Sequence, residues 1–340
     1  MSRVGIFKDK DERINLAFPL ILIALQITEV AGGFSFFHGM STGVFYFLAD
    51  IVFLHLIHTS FSFNMLIRYP EFRAWRFDYG SGNPVRVWWR WLAFALFLFA
   101  FFYTSPSFQE NKGLFIAIVL VTASIRVQHG ITQTRGMAAL YDRVLDRSTA
   151  LDSAARRERF LFNGIFFFML PHVFVCAPPL EVNVLPFSKE TIWAIRTVCV
   201  VMCTIFVIGL LVNAWFTDHR TRTSKIPFLL RMFVVPLSFY SVTAIFAFSA
   251  VHGIEYFFVT RKIAQATNRE PSRFGWITYV APALVIAAVF APIYFIKEHP
   301  RWLFAFATMI SYVHFFMDKE LFRFRHTASR EHISPLLRAS

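Results

Sequence analysis

Residues 191–216 read TIWAIRTVCVVMCTIFVIGLLVNAWF, an apolar stretch broken by one charge, Arg196. A helix crosses the hydrocarbon of a bilayer with about 20 mainly apolar residues. This stretch therefore predicts a membrane-spanning helix. Working outward, the pattern recurs at roughly 14–34, 43–67, 87–104, 113–140, 159–177, 226–260, 275–296 and 302–322. The run 113–140 turns polar in its second half. The run 159–177 stops at Pro178-Pro179, and 226–260 is interrupted by Pro236. The expected fold is all-α, a polytopic transmembrane helical bundle of about 8–9 helices. Residues 1–340 then form a single transmembrane domain with short N- and C-terminal cytoplasmic tails.

Composition agrees. Of the 340 residues, 56% are hydrophobic and 16% charged, and the mean hydropathy is +0.52. A soluble domain of this make-up would expose large apolar patches. The 44 Phe residues suit lipid-facing bulk or the walls of an apolar pocket. The net charge is +13, but Lys and Arg fall in short segments between apolar runs, as membrane flanks do. That distribution argues against nucleic acid as a partner. Cys176, Cys199 and Cys203 lie in or beside apolar runs and form neither a disulfide framework nor a zinc finger. They read as small packing residues. The N-terminal MSRVGIFKDKDER is hydrophilic and basic, and no early cleavage site follows. The first run is expected to be a retained span with a cytoplasmic N-terminus, in a bacterial inner membrane.

Basic residues set the expected orientation. The segment before the first span and the second and fourth loops are rich in Arg and Lys. The first loop carries none, and the third carries one Lys. Alternation holds through five spans. It then breaks, because DHRTRTSK, RKIAQATNREPSR and RFRHTASR all look cytoplasmic. A re-entrant piece near Pro171 or between Pro227 and Pro236 would repair the parity. Non-helical backbone is tolerated at such depth only when buried in protein or facing water.

Ionisable side chains inside a span cost roughly 2.5–3.5 kcal/mol each on insertion scales. This chain nevertheless carries Glu29, Asp50, His55, His58, Arg126, His129, His172, Arg196, His252, Glu255, His314 and Asp318 in its apolar runs. Their spacing is regular. His55 and His58 are i,i+3, as are His252 and Glu255. His314 and Asp318 are i,i+4, and Gln133 follows His129 at i+4. Residues three or four apart share a helix face. Four helices thus each present coordinating groups on one stripe, which is how metal sites are assembled in helical bundles. Basic residues follow His58, His129, His252 and His314 by similar short intervals, at Arg68, Arg135, Arg261 and Lys319. If these mark one membrane surface, the four histidines lie at one depth. The bland alternative is a set of interhelical hydrogen bonds. It suits any single histidine, His172 beside Pro171 above all, better than it suits the set.

The candidate metal ligands are His55, His58, His129, His252, Glu255, His314 and Asp318. Imidazole and carboxylate donors without Cys favour non-haem iron or zinc. Iron is preferred, because a site inside the lipid phase suits oxygen chemistry on apolar molecules. Haem b on paired histidines is the alternative cofactor.

The phrases His252-Gly-Ile-Glu-Tyr256 and His314-Phe-Phe-Met-Asp318, followed by Arg323-Phe-Arg325, resemble a pattern in poorly characterised bacterial multi-spanning membrane proteins. Those carry a His-x-x-Gln/Glu-Tyr phrase and a later His-aromatic-x-x-Asp phrase ending in Arg-x-Arg. The resemblance covers about the last third of the chain and implies a His-rich membrane metalloprotein. The HxxxH and HxxHH boxes of membrane desaturases and hydroxylases are absent, as is the Pro-His-Gly…Asp-His phrase of carotene-cleaving dioxygenases. Both families are chemical analogies only.

The preferred function is a membrane-embedded, metal-dependent oxidoreductase, an oxygenase, hydroxylase or desaturase acting on a lipid or other apolar molecule. An electron-donor protein or a larger complex would be its macromolecular partner. A proton-coupled transporter using intramembrane His, Asp and Glu is the main alternative. A membrane haem b protein and an assembly subunit are the others. Neither a GxxxxGK[ST] loop nor a GxSxG elbow occurs, so ATP-driven action and serine hydrolysis are not expected.

Overall fold

The computed structural model describes residues 9–34, 84–104, 112–145, 151–171, 187–216, 219–241, 243–266 and 301–321, with residues 36, 44, 58, 284, 288 and 291. Among the described residues the fold is all-helical and has no strand. In chain order the helices are α1 (Asp9–Gly32), α2 (Pro84–Thr104), α3 (Lys112–Leu145), α4 (Leu151–Met169) and α5 (Lys189–Trp215). A short α6 (His219–Leu230), a 3-10 turn (Arg231–Phe233) and a single-turn α7 (Val234–Leu237) follow. The chain continues through α8 (Thr243–Ala266) and α9 (Arg301–Leu321). The apolar runs at 43–67 and 275–296 lie outside the described residues, apart from single positions.

Among the described residues, two helices are long and apolar enough to cross a membrane, Arg13–Gly32 and Lys189–Trp215. Both turn apolar side chains outward. On α1, Ile21, Leu25 and Ile27 are exposed, while Asn15, Gln26 and Glu29 are buried. This inverts the arrangement of a water-facing helix, which buries its apolar stripe. On α5, Val201, Ile205, Ile208 and Val212 are exposed, and Cys199, Cys203, Val207 and Leu210 are buried.

The chain divides into two compact units, residues 1–40 with 116–252, and residues 41–115 with 253–339. In the first, α4 packs along α5. A Cβ placed on Gly164 of α4 would come within 2.5 Å of the Phe206 ring of α5, and one on Gly209 of α5 within 2.8 Å of Leu161 of α4. Each helix thus offers a glycine to a large side chain of the other, a close approach of the kind that joins helices in lipid. Polar ties reinforce the pair. Asn213 accepts from Arg157 Nε at 3.0 Å and donates to the Ala154 carbonyl at 3.2 Å. Ser188 caps α5 by accepting from Thr191 N at 3.2 Å.

The segment 226–260 is not one helix. Pro227 lies inside α6, and the chain then tightens through the 3-10 turn and α7 before α8 starts at Thr243. The basic stretch 219–225, which the charge pattern marks as a loop, is helical, and buried Lys225 pairs with buried Glu158. Helix α1 packs on the 3-10 turn, α6 and α7. There Glu29 accepts from Phe36 N at 3.1 Å and from the Ser241 hydroxyl. In the second unit, α9 packs along α2, with Phe102 against Tyr312 and Phe94 against Phe316.

Candidate metal centre

Helix α8 carries His252, Gly253, Ile254, Glu255 and Tyr256 in succession. The 3.6-residue repeat sets His252, Glu255 and Tyr256 on adjoining positions of one face. All three are buried, at 7%, 1% and 2% exposure. The division between the two units falls within this continuous helix, after His252.

Within the first unit, α3 brings His129 to His252, and their Nε2 atoms stand 3.1 Å apart with the rings edge to face. One ring can donate and the other accept, so the contact suits neutral imidazoles of complementary tautomers. Gln133, one turn after His129, donates to the His252 carbonyl at 3.5 Å.

Within the second unit, His58 and His314 are both fully buried, with ring centroids 4.5 Å apart. Tyr256 lies edge-on to both rings. Its hydroxyl donates to Asp318 Oδ1 at 2.7 Å, and Asp318 Oδ2 lies 3.1 Å from His314 Nε2. The i,i+4 spacing on α9 places that carboxylate beside the imidazole.

Among the described residues, each unit thus holds one histidine pair, His129 with His252 and His58 with His314, of a residue type that can hold a metal ion. Metal–imidazole bonds are about 2.0–2.1 Å long, so two nitrogens on one ion stand about 3 Å apart when adjacent and about 4 Å when opposite. The 3.1 Å separation of His129 and His252 fits the first value.

Of the seven candidate ligands, four histidines form two pairs, His129 with His252 and His58 with His314. Asp318 sits behind His314, and Glu255 is buried one turn from His252 on α8. His55 lies outside the described residues. Sequence reasoning gave no role to Tyr256, although its i,i+4 relation to His252 was there to be used. It also missed the buried Lys225–Glu158 pair and the buried Arg231, whose guanidinium lies 3.6 Å over the Phe228 ring. Comparison with protein-family models, curated proteins and solved structures finds no match to the chain.

Proposed function

We propose that the chain is a polytopic integral membrane metalloprotein that uses non-haem iron to oxidise a lipid or other apolar molecule. The two histidine pairs, His129 with His252 and His58 with His314, carry this reading, together with the sequence expectation that the four lie at one depth. Neutral imidazoles cost less to bury than charged groups and are common metal ligands. The outward-facing apolar sides of α1 and α5 support a lipid setting.

Asp318 would serve as the supporting carboxylate. A ligating histidine commonly gives its second ring nitrogen to a carboxylate, which fixes tautomer and orientation and raises basicity. Tyr256 holds that carboxylate in turn through its hydroxyl. Glu255, buried one turn from His252, would accept or return a proton. The ion, when bound, would supply the redox chemistry, and the protein would supply a dry, fixed ligand set around it.

The test is aerobic incubation of detergent-purified, iron-loaded protein with a bacterial lipid extract and a chemical reductant. Oxygen uptake and products bearing an added oxygen or double bond are expected, lost on chelation and restored by iron. Fully loaded protein that consumes no oxygen above a histidine-deficient variant would contradict the oxidoreductase reading.

A further inference from the structure

Helix α4 carries Arg156-Arg157-Glu158-Arg159 in its second turn, and helix α5 ends at Trp215, with Phe216 next. Both helices lie wholly within the first unit. The bond from Arg157 Nε to Asn213 sets the basic stretch level with the aromatic end of α5. Arg156, Arg157, Arg159, Trp215 and Phe216 are all exposed. Beyond the arginines the outward face of α4 turns aromatic, with Phe160 and Phe167 exposed. The outward face of α5 is apolar over the same length. At its far end a second tryptophan, Trp193, is exposed. With a rise of about 1.5 Å per residue, Trp193 and Trp215 stand about 33 Å apart, against about 30 Å for the hydrocarbon of a bilayer. Tryptophan collects at the two membrane–water boundaries. This register puts the arginines of α4 at one headgroup layer.

We propose that this surface binds an acidic phospholipid, its phosphate on the arginines of α4 and its acyl chain along Phe160 and Phe167. This rests on the lipid setting proposed above and not on the metal reading. Charge favours an anion here. Among the described side chains, buried Lys225 offsets the Glu158 carboxylate, and the three arginines remain in excess. Arg135 of α3 lies near enough to Arg159 to repel it, which an anion between them would relieve. A guanidinium fork matches a phosphate through two parallel hydrogen bonds. Basic residues at the membrane surface recognise acidic lipids in this way. The cations run directly into an apolar, aromatic face, and one amphiphile satisfies both where a free anion would leave the rings in water.

The detergent-purified full chain is equilibrated with equal amounts of phosphatidylglycerol and phosphatidylcholine of the same acyl chains, washed, and its retained lipid measured by mass spectrometry. Wild-type protein is expected to retain phosphatidylglycerol at least about tenfold over phosphatidylcholine. Each arginine near a headgroup layer is worth about fivefold, so Arg156→Gln combined with Arg159→Gln should lower the preference about tenfold or more. Both side chains are exposed, and the fold should stand without them. Lys189→Gln, at the other end of α5, should leave the preference within about twofold. Equal retention of the two lipids by wild-type protein would overturn the proposal, and needs no variant to fold. So would a loss in Lys189→Gln as large as in the double variant, which would mark a general charge effect. Soluble glycerol 3-phosphate displacing phosphatidylglycerol at equal concentration would overturn the lipid assignment in favour of a free anion. Whether the chain stays with carbonate-washed membranes is measured alongside. A chain that stays yet shows no preference leaves the lipid setting standing and sinks the acidic-lipid site alone. A chain that washes off, yet retains phosphatidylglycerol through these arginines, would support the site and sink the membrane-spanning reading.

Discussion

The two histidine pairs are built differently. His129 and His252 meet each other directly, at 3.1 Å, and Gln133 donates to the His252 backbone at 3.5 Å. His129 is also only half-buried. His58 and His314 are fully buried, and His314 is backed by Asp318, which is itself held by Tyr256. The first pair is fixed by ring-to-ring contact and the second by a carboxylate and a phenol. In metal sites the second arrangement gives a rigid, basic ligand, and the first one that adjusts more readily.

That contrast breaks or sharpens under substitution. His314→Ala should have the largest effect. It removes a ligand and strips the buried Asp318 carboxylate of its imidazole, at a cost of about 3 kcal/mol. Metal content and the thermal midpoint should fall together. His252→Ala should empty the site with a smaller loss of thermal stability, since the ring it meets is the half-buried imidazole of His129. Equal destabilisation by the two changes would erase the difference between the pairs. Asp318→Asn keeps size and shape, and should weaken metal binding by about 10–100-fold, read by competition with a chelator of known affinity. Tyr256→Phe removes one hydrogen bond to a carboxylate and should lower stability by about 1.5–2 kcal/mol, with a milder loss of metal affinity. Gln133→Leu should move stability by no more than about 1 kcal/mol, because the hydrogen bond it deletes is long. A Gln133→Leu effect on metal affinity rivalling that of Asp318→Asn would show the first pair to be as firmly supported as the second.

Much of the helical layout could be read in the sequence because apolar run length is a direct consequence of bilayer or core thickness. Run 191–216 became Lys189–Trp215, and run 302–322 became Arg301–Leu321. Segment 226–260 was harder. Hydropathy does not register the 3-10 turn that Arg231–Phe233 makes, and a charge count treats Lys225 as a surface marker although Glu158 holds it inside. Of the site, the four histidines were visible through their spacing. The division of labour was not, because i,i+4 spacing on a helix places Asp318 beside His314 without saying whether the carboxylate faces an ion or the imidazole. Tyr256 and Arg231 escaped for a related reason. A tyrosine in an apolar helix, or an arginine near a run of basic residues, looks ordinary until its partners are known.

The most direct test is the metal stoichiometry of the full-length, detergent-purified chain, beside single alanine substitutions of His58, His129, His252 and His314. About one tightly held ion per chain is expected in the wild type, with loss in all four variants. Wild-type protein holding no stoichiometric ion after iron or zinc loading, or four variants that each keep it, would contradict a shared four-histidine centre.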